Sequence, residues 1–116
     1  MSTTQVQPDV SKYYTQAPPA ETKEFIMQQV MVRVKDPAAS LKFYCDVLGM
    51  NLLMHREFPQ WGFNVYFVSP CDPSLIPSTP EEQWAFCMKM PGTIELTWNY
   101  ARGADLEAAP LTVSEP

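Results

Sequence analysis

The sequence predicts a single α+β domain, in which one helix packs on a sheet of several strands. A segment that alternates apolar and polar residues comes first, at residues 25–34, and a segment with helix start and stop signals follows at 35–50. Several more alternating segments come after the helix. Strand, helix and then a run of strands is the order of a compact α+β module. The 116 residues leave room for one such domain.

The charge balance argues against two classes of partner. The chain has 8 Lys and Arg residues against 13 Asp and Glu residues, a net charge of −5, which gives no general attraction to nucleic acid or to anionic membrane surfaces. No apolar run approaches the roughly 20 residues of a membrane helix, and the N-terminus lacks the features of a secretory signal. We therefore expect a cytoplasmic protein whose three cysteines, without a CxxC pair, are reduced.

The first predicted strand has two unlike faces. One face is apolar, and the other alternates methionines with polar residues. The first face consists of Ile26, Val30, Val32 and Val34, and the second of Met27, Gln29, Met31 and Arg33. We therefore expect Gln29 and Arg33 to present polar groups to a ligand or partner.

The predicted helix has signals at both of its ends. Asp36 can accept hydrogen bonds from the free N–H groups of the first turn, Pro37 suits the first helical position, and Gly49 can take the left-handed conformation past the last turn. Four apolar residues are predicted to form its buried stripe: Leu41, Tyr44, Val47 and Leu48.

Further strands are predicted in the second half of the chain, at residues 51–58, 62–69, 83–89 and 93–99. A proline-rich stretch at residues 69–82 is predicted to be an irregular loop. One helix covers only one side of such a sheet, so something else must close the other side. The predicted organisation is a disordered N-terminal tail at residues 1–22, the folded module at 23–100 and an irregular C-terminal tail at 101–116.

The candidate chemistry lies on the first and last strands. If both point their polar residues the same way, four side chains converge on the uncovered face: Gln29, Arg33, Glu95 and Asn99. An amide oxygen and a carboxylate oxygen on neighbouring strands make half of an oxygen-rich site for a divalent cation, and Arg33 and Asn99 could hold an anionic ligand beside it. From the residues alone, the pattern also fits a solvated acid at Glu95 and a surface amide at Gln29.

Other candidate residues have two interpretations. Several apolar residues could line a pocket or could simply form the core: Phe58, Val65, Phe67, Trp84, Phe86 and Met88. His55, the single histidine, is best interpreted as a surface or cross-strand residue. The sequence has no glycine-rich phosphate loop and no Ser/His/Asp set, so nucleotide and nucleophilic chemistry lack support.

Three segments together resemble one family. The stretches QQVMVRVKDPAASLKFYCDVLGM, FPQWGFNVYFV and TIELTWN are similar in order and type to glyoxalase I, the lactoylglutathione lyases of the vicinal oxygen chelate superfamily. The resemblance spans residues 25–99. It implies a single βαβββ module, half of a paired-module barrel, and it implies that Gln29 and Glu95 bind the catalytic metal. Glu95 would also be the catalytic carboxylate.

The resemblance further implies a substrate and a cofactor. Family enzymes detoxify methylglyoxal by converting its hemithioacetal with glutathione to S-lactoylglutathione. Arg33 and Asn99 would bind glutathione, and the substrate pocket would consist of Phe58, Val65, Phe67 and Met88. The implied cofactor is a divalent metal, most often zinc, with nickel, magnesium or manganese as alternatives where the ligands are all oxygen.

The chain departs from the family pattern after Asn99. Family enzymes have a second module that supplies a histidine and a glutamate to the site, and no such repeat or later histidine follows here. Three hypotheses stay open. The chain is an inactive truncated glyoxalase I, or two copies pair as a homodimer (or one copy pairs with a second module) to complete the site. The third hypothesis is a non-catalytic module that binds a small ligand or metal, or that caps a partner.

Overall fold

The computed structural model describes residues 5–100, and the predicted tail at 101–116 lies outside them. Residues 5–22 are exposed and contain one 3-10 turn, Ser11–Tyr14. The module itself has four strands and two helices. They are β1 (Gln29–Val34), α1 (Pro37–Leu41), β2 (Asn51–Phe58), β3 (Phe63–Ser69), α2 (Pro80–Cys87) and β4 (Thr93–Asn99). Disorder at residues 1–22 and the module boundaries at 23 and 100 stay predictions.

The four strands form one mixed sheet in the order β1-β4-β3-β2. β1 and β4 are parallel, with Gln29 opposite Thr93 and Val34 opposite Trp98, while β4 and β3, and β3 and β2, are antiparallel. This topology confirms the predicted α+β class with a βαβββ module. It also makes the first and last strands direct neighbours, which is the condition that the candidate site required.

The first strand is shorter than predicted. It begins at Gln29 rather than at residue 25, because its ladder with β4 begins where the Thr93 N–H donates to the Gln28 carbonyl oxygen (3.0 Å). Ile26 and Met27 therefore lie before the strand, and both are exposed.

The end signals of α1 act as predicted. The Asp36 carboxylate accepts a hydrogen bond from the Ala39 N–H (3.2 Å), and Pro37 is the first residue of the helix. The chain then leaves the helical segment at Gly49, which has a φ of 82°. A residue with a Cβ rarely adopts this conformation, so glycine suits the position.

The buried stripe of this segment differs from the prediction because the helix widens. Lys42–Val47 continues α1 as a π-helix, and the Leu48 N–H donates to the Phe43 carbonyl oxygen five residues back (3.0 Å). Leu41 and Tyr44 still face the sheet. Val47 is 67% exposed and Leu48 is also exposed, so their predicted burial was wrong. Cys45 packs against the core near Tyr44 in their place.

The segment at residues 83–89, predicted to be a strand, belongs largely to α2, so that prediction was wrong. The helix begins within the proline-rich stretch that was predicted to be irregular. The Thr79 hydroxyl oxygen accepts from the Glu82 N–H (3.3 Å), and the same hydroxyl donates to the Glu82 carboxylate (2.8 Å). With Pro80 at the first helical position, these contacts start a helix in spite of the aromatic residues that follow.

The two helices create two apolar cores, one on each face of the sheet. The core under α1 contains Val34, Tyr44, Val68 and Leu96. The core under α2 contains Leu53, Met54, Val65, Phe67 and Cys87. The second face is therefore partly covered, which corrects the prediction of one covered side. Among the described residues, the α2 core draws its strand residues from β2 and β3 only, so the β1 and β4 part of that face holds the polar candidates.

Residues 5–100 contain no helix whose length and apolar character would allow it to cross a membrane. Cys45, Cys71 and Cys87 are free thiols. Burial raises the pKa of the Cys45 and Cys71 thiols, and the neighbouring Asp46 and Asp72 charges raise it further. These thiols therefore have little thiolate character at neutral pH.

Candidate functional site

Gln29 and Glu95 meet on the face of the sheet that α2 partly covers. In the parallel pairing of β1 and β4, Glu95 lies opposite Met31, so both strands direct their odd-numbered residues to the same face. The Gln29 Nε2 donates a hydrogen bond to Glu95 Oε1 (2.5 Å). The structure thus brings together the two predicted ligands, although 66 residues separate them in the chain.

The Gln29 amide has an unused acceptor. Its Oε1 atom is buried and has no hydrogen-bond partner among the described residues. A buried acceptor without a partner costs free energy unless a ligand or water interacts with it. Turning the amide by half a rotation about its last bond exchanges Oε1 and Nε2. The amide oxygen then lies beside the Glu95 carboxylate, and a cation held between two oxygens would replace the present hydrogen bond. The donor chemistry therefore fits a divalent metal.

This chain supplies only part of a metal coordination shell. Across residues 5–100, no group of three or more His, Cys, Asp or Glu residues is placed to hold a metal ion. Zinc sites in proteins are usually four-coordinate, and oxygen-ligated cations take six or more ligands. The amide of Gln29 and the carboxylate of Glu95 amount to half of such a shell at most. Water or another polypeptide has to provide the rest.

The buried thiol of Cys87 lies near this pair and keeps its proton at neutral pH when no metal is bound. Burial, followed by the charge of Glu95, raises its pKa to about 11. The backbone of Cys87 stabilises the site in another way, because its carbonyl oxygen accepts a hydrogen bond from Gln28 Nε2 (2.8 Å). This bond ties the start of β1 to the end of α2. Gln28 therefore positions Gln29, a role that the sequence did not predict.

Arg33 and Asn99 lie on the same face, beyond Glu95. Arg33 pairs with Thr97, and Asn99 is two residues further along β4. Both are half-buried, and the Arg33 Nε and Asn99 Oδ1 atoms have no hydrogen-bond partner in the described part of the chain. Arg33 can therefore donate a further hydrogen bond to a polar ligand, and Asn99 can accept one from it.

A concavity of about 470 Å³ opens beside Gln29 and Glu95. Its apolar lining includes all four residues expected in the substrate pocket: Phe58, Val65, Phe67 and Met88. Arg33 and Asn99 are not among its lining residues. The predicted site residues thus divide into a pocket group, which contains the two candidate metal ligands, and a polar pair outside the pocket. Their roles in binding stay predictions.

The same pocket contains residues that the sequence left unassigned or uncertain. Trp84, considered as either pocket or core, is a lining residue, as are Phe63 and Arg56. Arg56 was not considered as a site residue. Its position follows from a bulge at Leu53, where the pairing register of β2 shifts. A strict alternation would place Leu52 and Arg56 on one face, whereas the bulge separates them.

His55 lies on the opposite face of the sheet, away from this pocket. It is directly opposite Tyr66 in the β2–β3 pairing, and their rings stack with centroids 4.9 Å apart. Its Nε2 atom is 3.5 Å from the Glu57 carboxylate, and both side chains are well exposed. This confirms the interpretation of His55 as a surface, cross-strand histidine.

The sequence matches one family model over most of the described module. Residues 26–110 match the Glyoxalase/Bleomycin resistance protein/Dioxygenase superfamily. The chain belongs to this superfamily. Within it, the chain is a glyoxalase I-like module of the vicinal oxygen chelate type, as the resemblance implied, and its open sheet is consistent with one half of a paired-module barrel.

Curated relatives agree with this assignment. The chain is 38% identical over 94 residues to a lactoylglutathione lyase of Pseudomonas putida, covering 81% of this chain and 54% of the relative. It is 34% identical over 102 residues to the lactoylglutathione lyase of Pseudomonas aeruginosa, covering 88% of this chain and 56% of that relative. The chain spans about half the length of these relatives. The solved structure of a trypanothione-dependent glyoxalase I from Leishmania major aligns with a TM-score of 0.48 at 28% identity, over 65% of this chain and 43% of that one.

Proposed function

We propose that this chain supplies half of a glyoxalase I active site, which converts the methylglyoxal–glutathione hemithioacetal to S-lactoylglutathione. One observation supports the proposal above the others: the buried, unpartnered Gln29 Oε1 lies beside the Glu95 carboxylate at the edge of an apolar pocket. Gln29 and Glu95 would hold the divalent metal. When bound, the metal acts as a Lewis acid on the substrate oxygens.

The chemistry that remains for the protein is the movement of a proton. In this isomerisation, a proton leaves the carbon that bears sulfur, and the neighbouring carbonyl carbon gains one. The hydroxyl of the first carbon gives up its proton and becomes the thioester carbonyl, and the carbonyl oxygen of the second carbon takes up a proton and becomes the hydroxyl, so no oxidant is needed. The Glu95 carboxylate is the candidate base from this chain. The apolar lining of the pocket would limit access of water to the reacting carbons.

Arg33 and Asn99 are the candidate glutathione contacts. Glutathione has carboxylates and amides, which match a guanidinium donor and a side-chain amide. The unpartnered Arg33 Nε and Asn99 Oδ1 atoms support this assignment. Because both side chains lie outside the pocket, the glutathione part of the substrate would lie along β1 and β4, while the aldehyde-derived part would enter the pocket.

The site needs a second half, and the exposed edge of β1 supports pairing. β1 is an edge strand of the sheet, and Val30 and Met31 on it are exposed, as are Phe25, Ile26 and Met27 just before it. An exposed apolar edge favours association. We propose that a second copy or a second module covers it. Two copies would contribute Gln29 and Glu95 twice, and such an all-oxygen shell favours manganese or magnesium, whereas a histidine from a different module would favour zinc.

A non-catalytic role is the second candidate. Within residues 5–100, the partial donor set favours a module that binds metal or a small ligand without turnover, or that caps a longer partner. Cytoplasmic location stays a prediction from the sequence. Measurable turnover of the hemithioacetal would favour the catalytic role over the non-catalytic one.

The test is conversion of the methylglyoxal–glutathione adduct to S-lactoylglutathione, followed by ultraviolet absorbance with added Zn²⁺, Ni²⁺ or Mg²⁺. Pairing of copies predicts a rate per chain that rises with protein concentration and disappears in Glu95→Gln. Glu57→Gln, which removes an exposed acid from the opposite face, is the matched control and should retain the rate. No turnover at any concentration and with any metal would contradict a site built by two copies and would favour the non-catalytic role.

A further inference from the structure

The pocket contains a cation that the proposed reaction does not use. Arg56 lines the pocket from β2, opposite Val65 of β3. After the bulge at Leu53, Arg56 shares the pocket face with Phe58, so its half-buried side chain lies beside apolar residues. A guanidinium in such surroundings loses part of its hydration and gains from an anionic partner.

Two contacts fix the Arg56 side chain. Its Nη2 atom donates a hydrogen bond to the Pro80 carbonyl oxygen (2.9 Å), and its guanidinium carbon lies 5.6 Å from the centroid of the Trp84 ring. Both partners belong to α2, which covers this end of the pocket. A guanidinium has five N–H donors, and the contact with Pro80 uses one of them. The group is therefore held in place with most of its donors available.

Arg56 has no counter-ion in the described part of the chain. The ion pairs found there are Lys42 with Asp46 and His55 with Glu57, and neither includes Arg56. The Glu95 carboxylate lies at the other side of the pocket, with β3 between the two strands. Strand spacing and rise place the α-carbons of Arg56 and Glu95 roughly 12 Å apart. The pocket is therefore acidic at one end, apolar in the middle and basic at the other end.

We infer that this pocket selects ligands that have an apolar body and a terminal carboxylate, which Arg56 binds. In terms of the reaction, the preferred aldehydes are 2-oxoaldehydes whose side chain ends in a carboxylate, and Arg56 is a specificity-determining residue. That substrate class rests on the proposed function. The binding of the carboxylate itself depends only on Arg56 and the pocket.

The experiment compares two probes of nearly equal shape, phenylacetate and phenylacetamide, which differ by one negative charge. Each is titrated into the full chain labelled with ¹⁵N, and the indole N–H resonance of Trp84 is followed by NMR. Phenylacetate should bind about five- to tenfold more tightly than phenylacetamide, the range for a charge-assisted hydrogen bond in a partly open site. Added salt should reduce that preference.

Variants connect the preference to Arg56. Arg56→Met keeps the length of the side chain and should bind the two probes equally, whereas Arg56→Lys keeps the charge without the planar fork and should retain a preference of about twofold. Lys42→Met, which removes an exposed cation on the other side of the sheet, is the matched control for net charge and should behave as the unmodified chain does.

Three results would overturn the inference: equal binding of the two probes to the unmodified chain, a preference that survives in Arg56→Met, or a preference lost equally in Lys42→Met. The first comparison needs no variant, so it stands even where a substitution impairs folding. Titration with S-methylglutathione, repeated on Arg33→Met, tests the proposed function separately, because the S-methyl group, the part that would enter the pocket, has no carboxylate.

Discussion

The buried thiol of Cys87 makes the stability of the fold depend on pH in the alkaline range. The side chain is fully buried, and burial together with the Glu95 charge raises its pKa from 9.0 to about 11. Because the folded value lies above the unfolded value, the folded chain holds this proton more tightly than the unfolded chain does. The resulting stabilisation is complete below pH 9.0 and is lost as the pH rises through about 11.

The size of this effect follows from the two pKa values. A rise from 9.0 to about 11 corresponds to about 3 kcal/mol between the two pH limits. Cys87→Ala removes the ionisable group and also a buried sulfur atom, and the lost packing costs about 1 kcal/mol at every pH. Below pH 9.0 the unmodified chain should be the more stable one. Above about pH 10, Cys87→Ala should become the more stable one.

The assay is urea unfolding followed by tryptophan fluorescence, at pH values from about 7 to 11 with a chelator present. Lysine and tyrosine ionisation affects both proteins equally, so the difference in unfolding free energy between them reports the thiol. Cys71→Ala is the matched control, since its half-buried thiol should give a smaller change with pH. A difference between the unmodified chain and Cys87→Ala that stays constant over this range would show that folding does not raise the pKa of the Cys87 thiol.

Two further predictions concern the helices, and urea unfolding at neutral pH tests both. Thr79→Ala should lower the free energy of unfolding by about 1 kcal/mol, because it removes the N-cap of α2; an unchanged value would mean that α2 does not depend on this cap. Val47→Ala should cost less than about 0.5 kcal/mol, whereas Tyr44→Ala should cost about 3 kcal/mol, because the π-helical turn exposes Val47 and buries Tyr44. Similar losses for both would contradict the register of this turn.

The two helices illustrate what local sequence signals can and cannot predict. α1 was predictable because Asp36, Pro37 and Gly49 act on the backbone next to them. The π-helical widening after Leu41 has no comparable local signal, so the buried stripe was predicted with the spacing of a regular helix. At α2, Thr79 and Glu82 form a helix-start signal. The prolines around them favoured the prediction of a loop, and the aromatic residues that follow favoured the prediction of a strand.

The candidate site was predictable residue by residue but not as an arrangement. Alternation placed Gln29 and Glu95 on definite faces of their strands. Their meeting depends on β1 lying beside β4, which is a long-range property of the topology, and the family resemblance supplied that expectation. Arg56 was missed although alternation back from Phe58 places it on the pocket face; alternation forward from Leu52 would fail, because one extra residue at Leu53 changes the face of everything after it in β2. A bulge of this kind leaves no clear trace in an alternating sequence.

Binding of Mn²⁺ is the simplest measurement that asks whether Gln29 and Glu95 are metal ligands. Isothermal titration of the unmodified chain, Gln29→Leu, Glu95→Gln and Glu57→Gln would compare the two ligands with a surface acid. We expect the unmodified chain and Glu57→Gln to bind Mn²⁺ alike, and Gln29→Leu and Glu95→Gln each to lose about tenfold or more in affinity. Equal Mn²⁺ affinity in all four proteins, or no binding by the unmodified chain, would contradict this expectation.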